Sequence, residues 1–367
     1  MTAKLTPLVE SLPSTVPFVG PEHQERARGS VFKARIGANE SVFGPSPTAV
    51  EAMRQAAPEA WMYCDPNMHD LRHALAAHHG VPPESVVIGE GIDGLFGYTN
   101  RMFVGPGDKV VTSLGAYPTF NFHVAGYGGE LITVPFRDDH EDIDALIEAA
   151  QQHRPKLVYL SNPDNPMGTW HSADRIAALI EGMPEGTLLC LDEAYVEFAP
   201  EGTAPAWNPE DARVIRFRTF SKAYGMAGMR IAYAITHPDT ALAFDRIRNH
   251  FGVSRIAQEA AIAALGDQAH LEGVIRDVAE ARDEIGRIAA AHGLTALPSA
   301  TNFVAIDCGR DGDFARKVLA GLIERDIFVR MPGVAPQDRC IRVSAGRPAD
   351  LEAFAAALPG ALADAGK

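Results

Sequence analysis

The sequence of 367 residues contains few cysteines and no long apolar segment. The four cysteines are far apart, with no C-x-x-C pair and no spacing typical of metal ligands, so we expect no metal site and favour a reducing compartment. They are Cys64, Cys190, Cys308 and Cys340. A membrane-spanning helix needs a run of about 18 apolar residues, and the chain has none, so we expect no membrane span.

Basic residues are also scarce. The chain has 33 Lys and Arg against 47 Asp and Glu, a formal net charge of −14. This balance disfavours general binding to nucleic acid or anionic membranes, so any anionic ligand must be held by a local arrangement of donors. The first 18 residues are interrupted by prolines and Glu10, which predicts no signal peptide and favours a cytoplasmic protein.

Short strand patterns alternate with helical patterns from about residue 67. Strands are predicted at "SVVI", "DKVVTS", "ELITVPF", "KLVYLS", "TLLCLD" and "RVIRFRTFS", the last of alternating character, with helices such as "DIDALIEAAQQH" between them. This order is typical of parallel β-α-β units whose sheet is covered on both faces. After Asn249 the pattern becomes mainly helical and then alternates strand and helix, which predicts a domain boundary between residues 249 and 255.

The segment "TFSKAYGMAGMR" places a lysine at the end of a strand, before a glycine-rich turn. Most lysines in such a position are solvated, which is the simplest interpretation of Lys222. Here, however, Thr219 and Ser221 alternate along the strand, and Arg230 follows two glycines, so hydroxyl and guanidinium donors converge on one place. The set predicts a site for an anion next to Lys222.

Two further segments follow predicted strands. Asp192 ends the buried run "LLCLD", with Tyr195 three positions later, at the sheet edge where open α/β sheets bind ligands. An Asp that caps the following turn is the alternative. In "YLSNPDNPMG", Asn162 and Asn165 stand between prolines, which by itself indicates only a turn.

The stretch "GEGIDG", Gly89 to Gly94, fits the Gly-x-Gly-x-x-Gly pattern of dinucleotide-binding turns. A dinucleotide-dependent oxidoreductase is therefore an alternative function. It requires an acidic residue about 20 positions later, at the end of the next strand. Lys109 and the residues Leu114 to Ala116 stand there, and none is acidic.

Eight motifs in order resemble the class I and II aminotransferases among the fold-type-I pyridoxal-phosphate (PLP) enzymes, and most of all the histidinol-phosphate aminotransferase group. They are "ANESVFGPSP" (38–47), "MYCDP" (62–66), "GEGIDG" (89–94), "AYPTF" (116–120), "NPDNPMG" (162–168), "DEAYVEF" (192–198), "SKAYGMAGMRIA" (221–232) and "IRVSAG" (341–346). The resemblance implies a large α/β PLP-binding domain (46–252) with a mostly parallel central sheet sandwiched by helices. It also implies a smaller α+β domain (253–367) to which an N-terminal arm (1–45) contributes.

The resemblance implies a role for each residue near the cofactor ring. Lys222 would link to the cofactor aldehyde and carry the proton of the reaction, and Asp192 would pair with the pyridinium nitrogen. Tyr195 and Asn165 would donate to the ring oxygen, and Tyr117 would stack on the ring face.

The resemblance also implies how the phosphate and the substrates are held. Backbone amides of the Gly91-Ile92-Asp93 turn would bind the phosphate at a helix start, together with Thr219, Ser221 and Arg230, and Tyr63 would reach it across an obligate homodimer with shared active sites. Arg342 and Asn39 would bind the α-carboxylate of the amino-acid substrate, and Arg330 and Arg347 are candidates for a second anionic group. The substrates would be histidinol phosphate or an aromatic amino acid, and a 2-oxo acid such as 2-oxoglutarate.

The chain departs from the family pattern at several positions. Ile92 replaces the usual Ser, Gly94 the usual Glu, Met167 the usual Thr and Phe43 the usual Tyr, and these changes bear on the phosphorylated substrate more than on transamination. A PLP-dependent decarboxylase of the threonine-phosphate kind, or a racemase, would keep the same cofactor motifs and stays an alternative. A non-catalytic PLP-binding regulator is less favoured, because no DNA-binding segment precedes the enzyme-like part.

Overall fold

The computed structural model describes residues 4–14 and 19–366. Its strands are β1 (Ala34–Arg35), β2 (Val86–Gly89), β3 (Lys109–Ser113), β4 (Glu130–Val134), β5 (Leu157–Ser161), β6 (Leu188–Asp192), β7 (Val214–Thr219), β8 (Ala232–Ile235), β9 (Thr295–Ala296), β10 (Phe303–Asp307), β11 (Ile327–Phe328) and β12 (Cys340–Ser344). The predicted alternation of strands and helices is confirmed.

The helices fall between and around these strands. They are α1 (Pro7–Ser11), α2 (Pro21–Arg28), α3 (Pro47–Ala56), α4 (His69–His79), α5 (Gly91–Phe103), α6 (Pro118–Gly126), α7 (Ile143–His153), α8 (Ala173–Gly182), α9 (Pro238–Phe244), α10 (Arg255–Gly266), α11 (Gln268–Ala291), α12 (Gly312–Glu324) and α13 (Pro348–Ala365). Within the described ranges, no helix has both the length and the hydrophobicity to cross a membrane.

Seven strands form the central sheet, in the order β2-β8-β7-β6-β5-β3-β4. Strands β3 to β7 pair in parallel, whereas β8 runs antiparallel to both of its neighbours. The mostly parallel sheet predicted from the sequence is therefore confirmed. Strand β8 was not predicted, because its four residues follow the glycine-rich turn at once, without an intervening helix of the β-α-β pattern.

Apolar side chains cover both faces of this sheet. Every residue of β5 and β6 is buried. On one face Leu146 of α7 and Leu179 of α8 belong to a cluster with strand residues such as Leu189, while Phe96 of α5 packs with strand residues of the other face, such as Phe217. Because the strands are buried on both sides, their polar residues collect at the carboxyl ends, where ligand sites form in α/β sheets.

The C-terminal part contains a smaller antiparallel sheet, in the order β12-β10-β9, with α11, α12 and α13 packed around it. The N-terminal segment joins this part: β1 pairs in parallel with β11, and the Ser344 amide donates to the carbonyl of Ile36 at 2.8 Å. The segment after β1 therefore passes between the smaller sheet and the carboxyl ends of the central strands.

Candidate active site

A cavity of about 400 Å³ lies at the carboxyl ends of the central strands, under the segment that follows β1. Thirteen residues singled out from the sequence line it: Asn39, Ile92, Asp93, Tyr117, Asn165, Asp192, Tyr195, Thr219, Ser221, Lys222, Arg230, Arg330 and Arg342. Ala38, Glu40, Ala194, Ala227 and Gly228 complete the lining. The structure thus brings together residues that are up to 303 positions apart, from Asn39 to Arg342.

Asp192 ends strand β6 at the floor of the cavity and is buried. Its Oδ2 accepts a hydrogen bond from the Tyr159 hydroxyl at 2.8 Å, and its Oδ1 accepts one from the Ala194 amide at 3.0 Å. Burial raises the pKa of Asp192 to about 6, against the lowering effect of these hydrogen bonds. A cationic group placed beside this carboxylate would recover the electrostatic energy that burial costs.

Lys222 stands three residues beyond the end of β7 and reaches across to the N-terminal segment. Its Nζ donates to the carbonyl oxygen of Asn39 at 3.0 Å and lies 5.5 Å from the centre of the Tyr195 ring. The amine is therefore half-buried and held within the cavity, as a lysine that acts on a bound ligand must be.

Asn39 connects three parts of the site. Its Nδ2 donates to the Tyr195 hydroxyl at 3.1 Å, and its Oδ1 accepts from the Ser344 hydroxyl at 3.1 Å. The residue is buried and adopts a left-handed backbone conformation with φ of 56°, which Asn tolerates better than most residues. This conformation places its carbonyl on Lys222 while the side chain contacts Tyr195.

Helix α5 begins at the cavity wall with Gly91, whose φ is +77°. A Cβ at this position would overlap the Arg230 guanidinium, so only glycine allows Arg230 to lie against the start of the helix. The amides of Ile92 and Asp93 belong to the first turn, where backbone N–H groups have no partner within the helix. This wall therefore presents N–H donors and a cation together, which suits a phosphate.

Two hydroxyl groups extend the same wall. Thr219 ends β7, and its Oγ1 lies 3.0 Å from the Ser221 Oγ and 3.1 Å from the Ser221 amide nitrogen. Both residues are buried and line the cavity. The Arg230 Nη1 donates to the Ala227 carbonyl at 2.9 Å, which fixes the guanidinium beside them.

Tyr117 precedes helix α6 and forms another side of the cavity. Its hydroxyl donates to Asp93 Oδ1 at 3.1 Å, and its ring centre lies 6.5 Å from that of Phe96. Burial raises the pKa of Tyr117 above its ordinary value, so the hydroxyl stays protonated and remains a donor. The aromatic ring is thereby fixed at the cavity wall.

Arg342 lies on β12 at the opposite end of the cavity. It is buried, its Nη1 donates to Asn165 Oδ1, and its Nε finds no hydrogen-bond partner among the described residues. Burial lowers the pKa of Arg342, but a guanidinium remains charged in proteins. A buried cation with an unused donor is a fitting partner for a carboxylate, which would bind it with two hydrogen bonds.

Three residues predicted to bind the cofactor or the substrate remain: Arg330 lies inside the cavity, and Tyr63 and Arg347 lie outside it. Arg330 lines the cavity, and its Nη2 donates to the Val19 carbonyl at 2.7 Å. Tyr63 is 77 % exposed and stacks on Phe251 with ring centres 4.5 Å apart. Arg347 is exposed at the start of α13, where its amide donates to Asp350 Oδ2 at 2.9 Å. The roles suggested for Tyr63 and Arg347 stay predictions.

Sequence reasoning missed three residues that shape the site. Glu40 lines the cavity, Tyr159 donates to Asp192, and Ser344 holds Asn39. Tyr159 had a signal: a tyrosine inside a wholly apolar strand needs a partner for its hydroxyl, and the neighbouring predicted strand ends in Asp192. The contact of Ser344 joins segments 305 positions apart, which no local pattern reveals.

Comparisons with known proteins agree with this geometry. The family described as aminotransferase class I and II matches residues 33–358. Two histidinol-phosphate aminotransferases are similar over most of the chain: one from Anaeromyxobacter sp. at 38% identity (88% of this chain, 90% of that protein) and one from Moorella thermoacetica at 34% (96% and 92%). A crystal structure of histidinol-phosphate aminotransferase from Sinorhizobium meliloti in complex with pyridoxal-5'-phosphate has a TM-score of 0.96 and 54% identity, covering 99% of this chain and 98% of that one.

Proposed function

The chain belongs to the class I and II aminotransferases, and we propose that it transfers amino groups with PLP bound in the cavity. The amino donor is histidinol phosphate or an aromatic amino acid, and the acceptor is a 2-oxo acid such as 2-oxoglutarate. The observation that carries this proposal is the meeting of Lys222, Asp192 and Arg342 in one cavity. These residues supply an amine, a buried carboxylate and a buried guanidinium, which are the groups that transamination on PLP requires.

The residues present fit PLP at both ends of the cofactor. The wall at the start of α5 offers amides, hydroxyls and the Arg230 guanidinium, and the close approach of Arg230 to Gly91 leaves no room for a Cβ. Asp192, at the other end, has a pKa raised to about 6 by burial and so gains from a protonated ring nitrogen nearby. When bound, PLP supplies an electron sink that stabilises negative charge at the substrate carbon.

Lys222 is the residue that we propose moves the proton. Its Nζ is held by the Asn39 carbonyl at 3.0 Å, and the half-buried position limits access of water to the amine. Asn39 also donates to the Tyr195 hydroxyl, so the amine and the tyrosine are positioned by one residue. Asn39 thereby sets the distance between the proton carrier and a donor to the cofactor ring: its backbone carbonyl holds the amine and its side chain holds the tyrosine.

Arg342 is the residue that we propose binds the substrate α-carboxylate, with Asn39 nearby. Its bond to Asn165 Oδ1 orients that amide so that the Asn165 nitrogen is left to donate to the cofactor ring oxygen. Arg330, on the same side of the cavity, is the candidate for a second anionic group. Phe43 does not appear in the lining of this cavity; it packs against the apolar core, so its effect on substrate choice stays a hypothesis.

We also propose that the enzyme is a homodimer with shared active sites. Three aromatic side chains support this: Trp61 is 82% exposed, Tyr63 is 77% exposed and Phe251 is 51% exposed. Large apolar groups in contiguous exposed positions mark protein interfaces. We propose in addition that the chain divides into residues 1–45, 46–252 and 253–367. The pairing of β1 with β11 supports grouping the first of these segments with the last. A cytoplasmic location also stays a proposal.

An absorbance spectrum of the purified protein with added PLP tests the cofactor. We expect a visible band from the lysine-linked cofactor, lost in Lys222→Ala and kept in Lys317→Ala, a control on the exposed face of α12. A chain that takes up no PLP would refute the proposal.

A panel of amine donors with 2-oxoglutarate then tests the reaction. Histidinol phosphate, phenylalanine and tyrosine should yield glutamate, and Arg342→Gln should raise KM for amino-acid donors far more than for histidinol phosphate, which has no α-carboxylate. Release of carbon dioxide from an amino-acid phosphate, without formation of glutamate, would instead indicate a decarboxylase.

A further inference from the structure

Glu90 is the residue of the "GEGIDG" stretch for which the proposed function provides no role. It lies between the end of β2 and the start of α5, directly before the turn that forms the phosphate wall. Glu90 does not line the cavity. Both of its carboxylate oxygens accept hydrogen bonds from the Tyr98 hydroxyl, at 2.9 and 3.1 Å, and Oε1 also accepts from the Asn249 Nδ2 at 3.1 Å.

These contacts join the phosphate wall to the segment 249–252, which lies in the region of the predicted domain boundary. The backbone N–H of Asn249 donates in turn to the Tyr98 hydroxyl at 3.0 Å, so the tyrosine and the carboxylate accept from the backbone and side-chain nitrogens of Asn249. Gly252 packs directly on the carboxylate: a Cβ at this position would overlap Glu90 Oε1. A side chain at position 252 would therefore displace the Glu90 carboxylate, although the φ of Gly252 lies outside the left-handed region and does not itself call for glycine.

The same carboxylate also lies over Gly94 of the first turn of α5. A Cβ at Gly94 would be 3.3 Å from Glu90 Oε2, a tight contact. Gly94 is the position at which the family pattern has Glu, and in this chain the carboxylate of Glu90 lies beside that position. Next to Gly252, Phe251 stacks on Tyr63, the residue predicted to reach the partner's phosphate.

We propose that Glu90 is a positioning residue that clamps the phosphate-binding start of α5 to the segment 249–252 and thereby sets the affinity for PLP. This inference rests on the proposed function, since it requires PLP to be the ligand of that wall. Glu90 touches neither the ring end nor Arg342, so losing the clamp should weaken cofactor retention and leave turnover at saturating PLP within about twofold.

The test compares PLP dissociation constants of cofactor-free proteins by absorbance titration. Glu90→Ala removes the bifurcated hydrogen bond from Tyr98 and the hydrogen bond from Asn249, and should weaken PLP binding by about tenfold. Glu90→Gln keeps the acceptor for Tyr98 and should recover part of this loss. Tyr98→Phe should behave like Glu90→Ala, whereas Glu185→Ala, at an exposed turn, and Tyr127→Phe should bind PLP as the wild type does.

A double-mutant cycle with Gly252 makes the test specific for the clamp. In the presence of Glu90, Gly252→Ala should weaken PLP binding by about tenfold, because the new methyl group displaces the carboxylate. In the Glu90→Ala background the same substitution should weaken PLP binding by less than about twofold, because the space is empty. Additive effects of the two substitutions would overturn the inference.

Thermal unfolding with and without PLP separates positioning from general stability. If Glu90 acts as proposed, Glu90→Ala reduces the increase in Tm that PLP produces. An equal fall of Tm in both forms, or PLP binding as tight as in the wild type or tighter, would overturn the clamp. If the wild-type protein itself binds no PLP, the proposed function fails first.

Discussion

Two adjacent carboxylates at the end of β6, Asp192 and Glu193, occupy opposite electrostatic environments. Both are buried, with 5% and 1% of their surface exposed. Asp192 lines the cavity, and its hydrogen-bond donors are a tyrosine hydroxyl and a backbone amide. Glu193 is outside the cavity and binds two guanidinium groups: Arg216 Nη2 lies 2.6 Å from its Oε1, and Arg218 Nε lies 3.1 Å from its Oε2.

The pKa values of the two groups move in opposite directions for this reason. Burial raises the pKa of Asp192 to about 6, and its neutral hydrogen-bond donors only partly oppose the rise. Burial acts on Glu193 in the same sense, but the charges of Arg216 and Arg218 outweigh it and hold its pKa below the ordinary value. The charge of Glu193 is thus balanced within the fold, whereas that of Asp192 suits a cationic ligand. We therefore expect Glu193 to contribute to stability and Asp192 to contribute to function.

The comparison is most sharply tested by replacing Asp192 with Asn. The substitution keeps the shape and removes the charge that we propose faces the cofactor ring, so kcat should fall by about a thousandfold. The free energy of unfolding of the cofactor-free protein should stay equal or rise, because a buried charge without a cationic partner is lost. Steady-state kinetics and urea unfolding measure the two effects; a large loss of stability would contradict the comparison.

Glu193→Gln should show the reverse pattern. Without this carboxylate the buried Arg216 and the partly buried Arg218 lose a counter-charge, and the free energy of unfolding should fall by about 3 kcal/mol. The folded fraction should keep most of its kcat, because Glu193 does not line the cavity. Glu181→Gln is the matched control: Glu181 pairs with Arg213 but is 72% exposed, so we expect a loss under about 0.5 kcal/mol.

The pH dependence of PLP binding tests the raised pKa of Asp192. The unfolded chain releases the Asp192 proton near pH 3.8 and the cofactor-free folded protein near pH 6, so this group makes folding less favourable as the pH rises through that window. In the proposed site PLP binds the ionised form of Asp192, so the affinity for PLP should fall by roughly tenfold at one pH unit below the pKa of this group. Titrations between pH 5 and 8 should show a steeper fall in the wild type than in Asp192→Asn, in which the PLP phosphate, with a second pKa of about 6, still titrates.

Tyr159→Phe extends the pH experiment. The Tyr159 hydroxyl bond lowers the pKa of Asp192, so its removal should move the weakening of PLP binding to higher pH. An unchanged midpoint would mean that a different group titrates in the wild type.

The smallest expected effect concerns the cations beside Glu193. The Cζ atoms of Arg216 and Arg218 lie 3.9 and 4.8 Å from the centre of the Trp207 ring. Trp207→Leu should lower the free energy of unfolding by about 1 kcal/mol through the lost cation–π contacts, beyond the change in Trp61→Leu, an exposed control. Equal effects of both substitutions would show that Trp207 adds nothing to this network.

The sequence predicted the strands that end in Asp192 and Thr219, because short runs of apolar, branched residues bounded by turns rarely form anything but strands. It also predicted that Lys222 and Arg230 share an anion site, since strand alternation and a glycine turn are local patterns. It did not predict strand β8, which lacks a preceding helix, or the function of Arg216 and Arg218. The alternation in "RVIRFRTFS" does not mark a solvent-facing side within the strand, because Arg216 and Arg218 pair with the buried Glu193.

By itself, the sequence determined the order of strands and helices, the family and the chemical types of the groups at the strand ends, because these depend on residues close together in the chain. Only the tertiary structure decided that Glu193 is paired with two guanidinium groups while Asp192 keeps only neutral hydrogen-bond donors. Electrostatic environment is set by partners brought from distant segments: Arg216 and Arg218 to Glu193, Tyr159 to Asp192, and Asn39 to Lys222. Those partners meet only when the chain is folded.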